Sequence, residues 1–166
     1  YMRVCLTLGL ETPSLRVWDD MDDPHVWNEI RRCGDAFWLE MHPLATAAAF
    51  CRIELLHRVR AVYFATARRG PDAQRVTTQW LVRRGISVPA VVATERKGDF
   101  ALSVDAAFAL DDKAGNAVFT SYVSPRTQSF LLDRPYNHFD RSTIGRCVAR
   151  VDTVDAFLAF VERDRT

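Results

Sequence analysis

The sequence predicts an α/β fold: a Rossmann-like, mainly parallel sheet with helices on both faces. Short runs of β-branched and aromatic residues alternate with helical patterns, and Arg, Gly or Asp bound each run. Nearly half of the 166 residues are apolar, enough to build one sizeable core. A single domain over residues 1–166 is expected, with a small insertion at about 15–42.

Taken in order, "DDMDDP" reads as a solvated turn and "HVWNEIRRCGDAFW" as one or two short helices within that insertion. After Pro43, "LATAAAFCRIELLHRV" repeats apolar residues at helical spacing on an alanine-rich frame. "AVYFAT" is a buried strand. "DAQRVTTQWLVRRG" is a helix with Val76, Trp80 and Leu81 on one face, ended by Gly85. A strand at Ala90 to Thr94, a loop "ERKGD", a helix around Phe100 to Val104 and a strand "AAFAL" ending at Asp111-Asp112 continue a βαβαβ alternation. "SFLLD" adds a strand, and "VDTVDAFLAFVERD" is an amphipathic helix with Asp152 as its expected cap.

A net charge of +1 provides no field suited to tracking a polynucleotide, and no apolar stretch is long enough to cross a bilayer. Cys5, Cys33, Cys51 and Cys147 lack metal-ligand spacing and read as small buried hydrophobes in a reducing cytoplasm. His25, His42, His57 and His138 show no ligand spacing either and are assigned surface or packing roles.

In open parallel sheets, ligands sit at the carboxyl ends of the strands, and polar residues gather there. Thr66 closes one strand, Lys97 follows the next, and Asp111 and Asp112 close a third. A hydroxyl backed by an amide can bind a phosphate oxygen, a lysine can neutralise it, and paired carboxylates suit Mg2+.

In this order the motifs resemble the haloacid dehalogenase superfamily, within it the 5'(3')-deoxyribonucleotidase-like phosphatases. "VYFATAR" resembles the second motif, Lys97 in "TERKGD" the third and Asp111-Asp112 in "FALDDKAGN" the fourth. "FWLEMHPL" and "FLLDRPYN" resemble the segment leaving the helical cap and the loop after the last strand. The resemblance covers nearly the whole chain. It implies Mg2+-dependent hydrolysis of nucleoside monophosphates through an aspartyl phosphate, with Thr66, the Ala67 amide and Lys97 on the phosphate. It further implies that Asp111 and Asp112 hold the metal and that cap aromatics stack on the base, chiefly Phe37 and Trp38, and less directly Trp18 and Trp27. Arg68, Arg69 and Arg126 are placed to approach the substrate phosphate or sugar, but solvated surface arginines are commoner, so they are left out of the site.

The superfamily's first motif, an Asp-x-Asp on the central strand, has no counterpart here. In "RVCLTLGLET" a strand reading puts Leu8 and Leu10 where the aspartates belong, and leucine supplies neither nucleophile nor acid. Two expectations follow. Either the stretch from Tyr1 is the helix after the motif, which then lies upstream, or Val4, Leu6, Leu8 and Leu10 form a strand in a fold without the nucleophile, a phosphate- or nucleotide-binding module.

Overall fold

The computed structural model describes residues 24–68, 70–137 and 148–164. The chain is α/β, and every strand pairing is parallel. Helices α1 (Pro24–Cys33) and α2 (Asp35–Leu39) come first, then α3 (Ala47–His57), β1 (Tyr63–Thr66), α4 (Ala73–Val82) and β2 (Ala90–Ala93). There follow α5 (Lys97–Ser103), β3 (Phe108–Asp111), α6 (Ala114–Val123), β4 (Gln128–Leu132), β5 (Val148–Val151) and α7 (Val154–Arg163).

The strands form two sheets, β1-β2 and β3-β4-β5, where the sequence suggests one. Periodicity reports that a strand is half-buried but carries no information on which neighbour it pairs with. Among the described residues, β1 and β3 each keep one edge without a strand partner.

Two helical layers join what no strand ladder joins. Along β1, Phe64 packs toward Phe50, Leu81 and Trp80, whereas Tyr63 meets Phe100 of α5 edge-on at 5.4 Å. The period of two recurs in β4: Phe130 meets Phe157 and Phe160 of α7 edge-on, while Ser129 donates its hydroxyl to the Ala117 carbonyl of α6. One face is therefore covered by α3, α4 and α7. Thr46 caps α3 by accepting from Ala49 N at 3.0 Å and donates to Asp155 on α7. Arg52 grips Glu162 through Nε (3.1 Å) and a terminal nitrogen (2.9 Å) in a fork that a lysine could not reproduce. Leu56, Leu158 and Val161 close this seam, with Val62 from before β1 and Phe108 from β3 against it.

On the opposite face α5, which follows the two-stranded sheet, packs on α6, which belongs to the three-stranded one. Gly98 makes this contact possible. A Cβ there would lie 2.8 Å from Phe119 Cδ1, 2.9 Å from Val123 Cγ2 and 3.1 Å from the Thr120 Cα.

Helices α1 and α2 build a small core of their own. Val26 and Ile30, one turn apart, are buried against Phe37 and Trp38, and Asp35 pairs with Arg75 of α4 at 2.5 Å.

Several sequence expectations need correction. Lys97, Gly98 and Asp99, expected in a loop, form the first turn of α5, because Gly98 allows that turn to seat on α6. The cap of α7 is Thr153, extended and accepting from Ala156 N at 3.0 Å, while Asp152 stays exposed. Cys33 and Cys51 are exposed, since each lies on the outer face of its helix, and Cys5 and Cys147 fall outside the described residues. Helix α6 and strand β5 had no strong signal: "AGNAVFTSYV" mixes Gly, Asn and β-branched residues, and "VARV" is only four residues long. Among the described residues no helix is long and apolar enough to cross a membrane.

Gly98→Ala tests the helical coupling. Helix propensity favours alanine by roughly 1 kcal/mol, but the added methyl meets two side chains and a backbone carbon, an overpacking worth about 1–3 kcal/mol. Urea unfolding should show a net loss, partly recovered by adding Phe119→Ala; a more stable Gly98→Ala protein would mean that α5 and α6 are not in close contact.

Candidate functional site

A cavity of about 330 Å³ opens at the carboxyl ends of the strands, lined from both sheets by Phe64, Leu110, Asp111, Asp112 and Leu132. Arg68, two residues beyond β1, and Lys97, at the start of α5, also line it. Its outer wall is the segment from Met41 to Ala45 that leads out of α2. The Met41 carbonyl pins that segment by accepting from the Trp80 indole at 2.9 Å and the Arg84 guanidinium at 2.5 Å.

The polar centre is Asp111, at the end of β3 and largely buried. Lys97 Nζ donates to its Oδ2 at 2.7 Å, the Lys113 amide donates to Oδ1 at 2.8 Å, and the Asn116 amide nitrogen lies 3.1 and 3.2 Å from the two oxygens. The lysine is carried by the two-stranded sheet's following helix and the aspartate by the three-stranded sheet, so this pair bridges the sheets where β1 and β3 do not pair. Asp112 stands beside it and accepts from the Tyr136 hydroxyl, and Asn137, fully buried, donates to the Asp112 carbonyl at 2.8 Å. Burial, reinforced by the Asp112 carboxylate, pushes the Tyr136 phenol far above its ordinary pKa, so it remains a proton donor.

Of the residues singled out in the sequence, Lys97, Asp111 and Asp112 meet in this cavity. Thr66 ends β1 at the same edge; its Oγ1 accepts from the Arg68 amide at 3.3 Å, which leaves the hydroxyl proton to donate. Thr66 and Ala67 themselves do not line the cavity. Phe37 and Trp38 lie in the small core of α1 and α2, where Trp38 meets Phe37 edge-on at 4.9 Å, and neither lines the cavity. Trp27 is partly exposed on α1, while Trp18, Leu8 and Leu10 lie outside the described residues. His42 lines the cavity and His57 Nε2 lies 2.8 Å from the Val88 carbonyl; His138 is outside the described residues.

Arg68 departs from its surface reading. Its guanidinium stacks over the Trp38 ring at 4.3 Å, donates to Thr77 Oγ1 at 3.3 Å and approaches the Met41 sulfur at 3.8 Å. Burial draws its pKa down to about 10, which leaves it charged at neutral pH. Arg126, by contrast, is exposed beside Asp105, and Arg69 is outside the described residues. Sequence reading also passed over Asn116 and Tyr136; the signal available was their nearness to Asp111 in "DDKAGN" and to the "LLD" strand end in "LLDRPYN".

The chemistry of the donors suits a hard divalent cation. Asp111 and Asp112 are adjacent carboxylates in one cavity, and Asp112 Oδ1 accepts no hydrogen bond among the described residues. No cluster of three or more His, Cys, Asp or Glu surrounds them there, so water and ligand oxygens would complete the shell, as is common for Mg2+. Comparison with known protein families, curated proteins and solved structures finds no match.

Removing the Asp111 carboxylate strips acceptors from Lys97, the Lys113 amide and Asn116 together. Asp111→Ala should lower the unfolding free energy by about 2–4 kcal/mol, against about 1 kcal/mol for Asn116→Ala, which removes a single donor. Equal losses in denaturant melts would show that Asp111 is not the hub of this network.

Proposed function

We propose that this chain forms the phosphate-ester site of a haloacid dehalogenase-like phosphatase of the 5'(3')-deoxyribonucleotidase type, acting on nucleoside monophosphates. The observation that carries this reading is the meeting of Lys97, Asp111 and Asp112 in one cavity at the carboxyl ends of strands from two parallel sheets. Motif order in the sequence supports it independently: a strand-ending threonine, a lysine and paired aspartates occur in the superfamily's sequence.

In this mechanism Thr66 and the Ala67 amide, which end β1 at the cavity's edge rather than in its lining, would take phosphate oxygens of a ligand that reaches that edge, while Lys97 fixes Asp111 and offsets negative charge beside it. Asp111 and Asp112 would hold Mg2+, which when bound supplies charge neutralisation for the transferring group. Tyr136 and Asn137 hold Asp112 in place from the side of β4. The nucleophile is a separate carboxylate, brought by a strand that enters between the free edges of β1 and β3. Neither Asp111 nor Asp112 fills that role, since this reading gives both to the metal and Asp111 is in addition bonded through both oxygens. The same fact favours a second reading, a phosphate- or nucleotide-binding module without turnover.

The cavity's formal charges support a metal-dependent ligand. Arg68 and Lys97 are balanced by Asp111 and Asp112, so a phosphate dianion meets no net attraction until a divalent cation binds. Titration calorimetry with thymidine 5'-monophosphate should show affinity rising at least tenfold on adding millimolar Mg2+, and Asp112→Asn should remove that gain. Phosphatase activity should appear only when an apolar strand ending in Asp-x-Asp-Gly precedes the chain. Restored activity selects the enzyme, Mg2+-dependent binding without it selects the module, and binding in neither condition ends both readings.

A further inference from the structure

Lys97 and Arg68 both line the cavity, but their charges are not equally available. Lys97 Nζ lies 2.7 Å from Asp111 and is already paired. The Arg68 guanidinium meets a hydroxyl, a thioether sulfur and an aromatic face, and no carboxylate lies within ion-pair distance among the described residues. A desolvated cation with only neutral partners is costly to hold, and proteins keep such groups where a ligand completes the pairing. Its guanidinium has five donors, and the two described bonds leave the others for an acceptor that offers two neighbouring oxygens.

Position adds a second argument. Arg68 is two residues beyond Thr66, and its amide donates to the Thr66 hydroxyl, so the turn that presents the threonine also carries the guanidinium. Trp38, from α2, lies flat beneath the guanidinium and limits the directions it can take. Resting on the reading of the cavity as a phosphate site, we propose that Arg68 is the principal charge partner of the ligand's phosphate, with Lys97 retained on Asp111 and Trp38 positioning the arginine. The ligand class is a phosphate monoester dianion whose phosphoryl oxygens accept the guanidinium fork.

This assignment makes affinity and stability move in opposite directions. Replacing a charge held for a ligand removes a desolvation cost from the free protein, whereas replacing a structural arginine loosens it. The test uses Arg68→Met, Arg68→Lys and Trp38→Leu, with inorganic phosphate and thymidine 5'-monophosphate as probes, in Mg2+. Affinity by calorimetry is read beside the melting temperature without ligand. Arg68→Met should weaken both probes at least tenfold with an unchanged or raised melting temperature. Arg68→Lys should lose less, because it keeps the charge but not the fork. Trp38→Leu should weaken both probes, and Arg68→Met should add little on top of it, since the two act through one contact.

Unchanged affinity in Arg68→Met with a lowered melting temperature would overturn the assignment and leave a packing role. If Lys97→Met abolishes binding while Arg68→Met spares it, the assignment falls and the phosphate site stands. Should the parent protein bind neither probe, the site reading and the assignment fall together. A loss confined to thymidine 5'-monophosphate, with inorganic phosphate unaffected, would also overturn it by moving Arg68 to the leaving group.

Discussion

Close packing of α5 on α6 at Gly98 is the constraint on which the site depends. Among the described residues no ladder joins the two sheets, so helices carry their relative placement. A residue with a side chain at 98 would hold α5 away from Phe119, Val123 and Thr120. Lys97 is the neighbouring residue, so the same close approach brings its amine to within 2.7 Å of Asp111. Across the sheets from this contact, the fork from Arg52 to Glu162 and the Thr46–Asp155 bond tie α3 to α7. The sheets are thus fastened on both faces while the edges of β1 and β3 stay free of one another.

Within the cavity, pairing rather than the number of charges distinguishes the polar groups. Asp111 accepts from a lysine, a backbone amide and an asparagine, which fixes its orientation in the cavity. Asp112 accepts from the Tyr136 hydroxyl on one oxygen, and its other oxygen accepts no hydrogen bond among the described residues. Arg68 is charged without a counter-charge among the described residues. The groups with capacity left over, an acceptor oxygen and a forked cation, are complementary to a metal-bound phosphate.

Local elements were legible because their signals are local. The alanine-rich run of α3, the aromatic run of β1 and the stop at Gly85, whose φ of +92° suits glycine, are each decided within about a dozen residues. The pairing of strands was not legible, since it depends on contacts between segments far apart in sequence. Lys97 was placed in a loop for the same reason: nothing within "ERKGD" announces that Gly98 will rest on a helix twenty residues later. The site residues were read as chemical types in order, and Lys97, Asp111 and Asp112 do share a cavity. Arg68 was weighed as a phosphate contact and left out because exposed arginines outnumber buried ones, and its stacking on Trp38, more than two dozen residues upstream, reveals the difference.

Binding and chemistry are separable in this architecture. The described residues line the cavity with two cations and two carboxylates, and neighbours fix the orientation of both carboxylates. On the proposed reading both carboxylates are given to the metal, so the nucleophile must come from outside this pair. The route left open runs between β1 and β3. Their free edges carry backbone donors and acceptors, each worth about 1–3 kcal/mol if buried without a partner. A strand that satisfied those groups in the parallel sense found within each sheet would also point its carboxyl end toward the cavity, which β1, β3 and β4 line. One segment would then complete the sheet and deliver the reacting carboxylate, and losing it would cost stability and catalysis while sparing the groups that recognise phosphate.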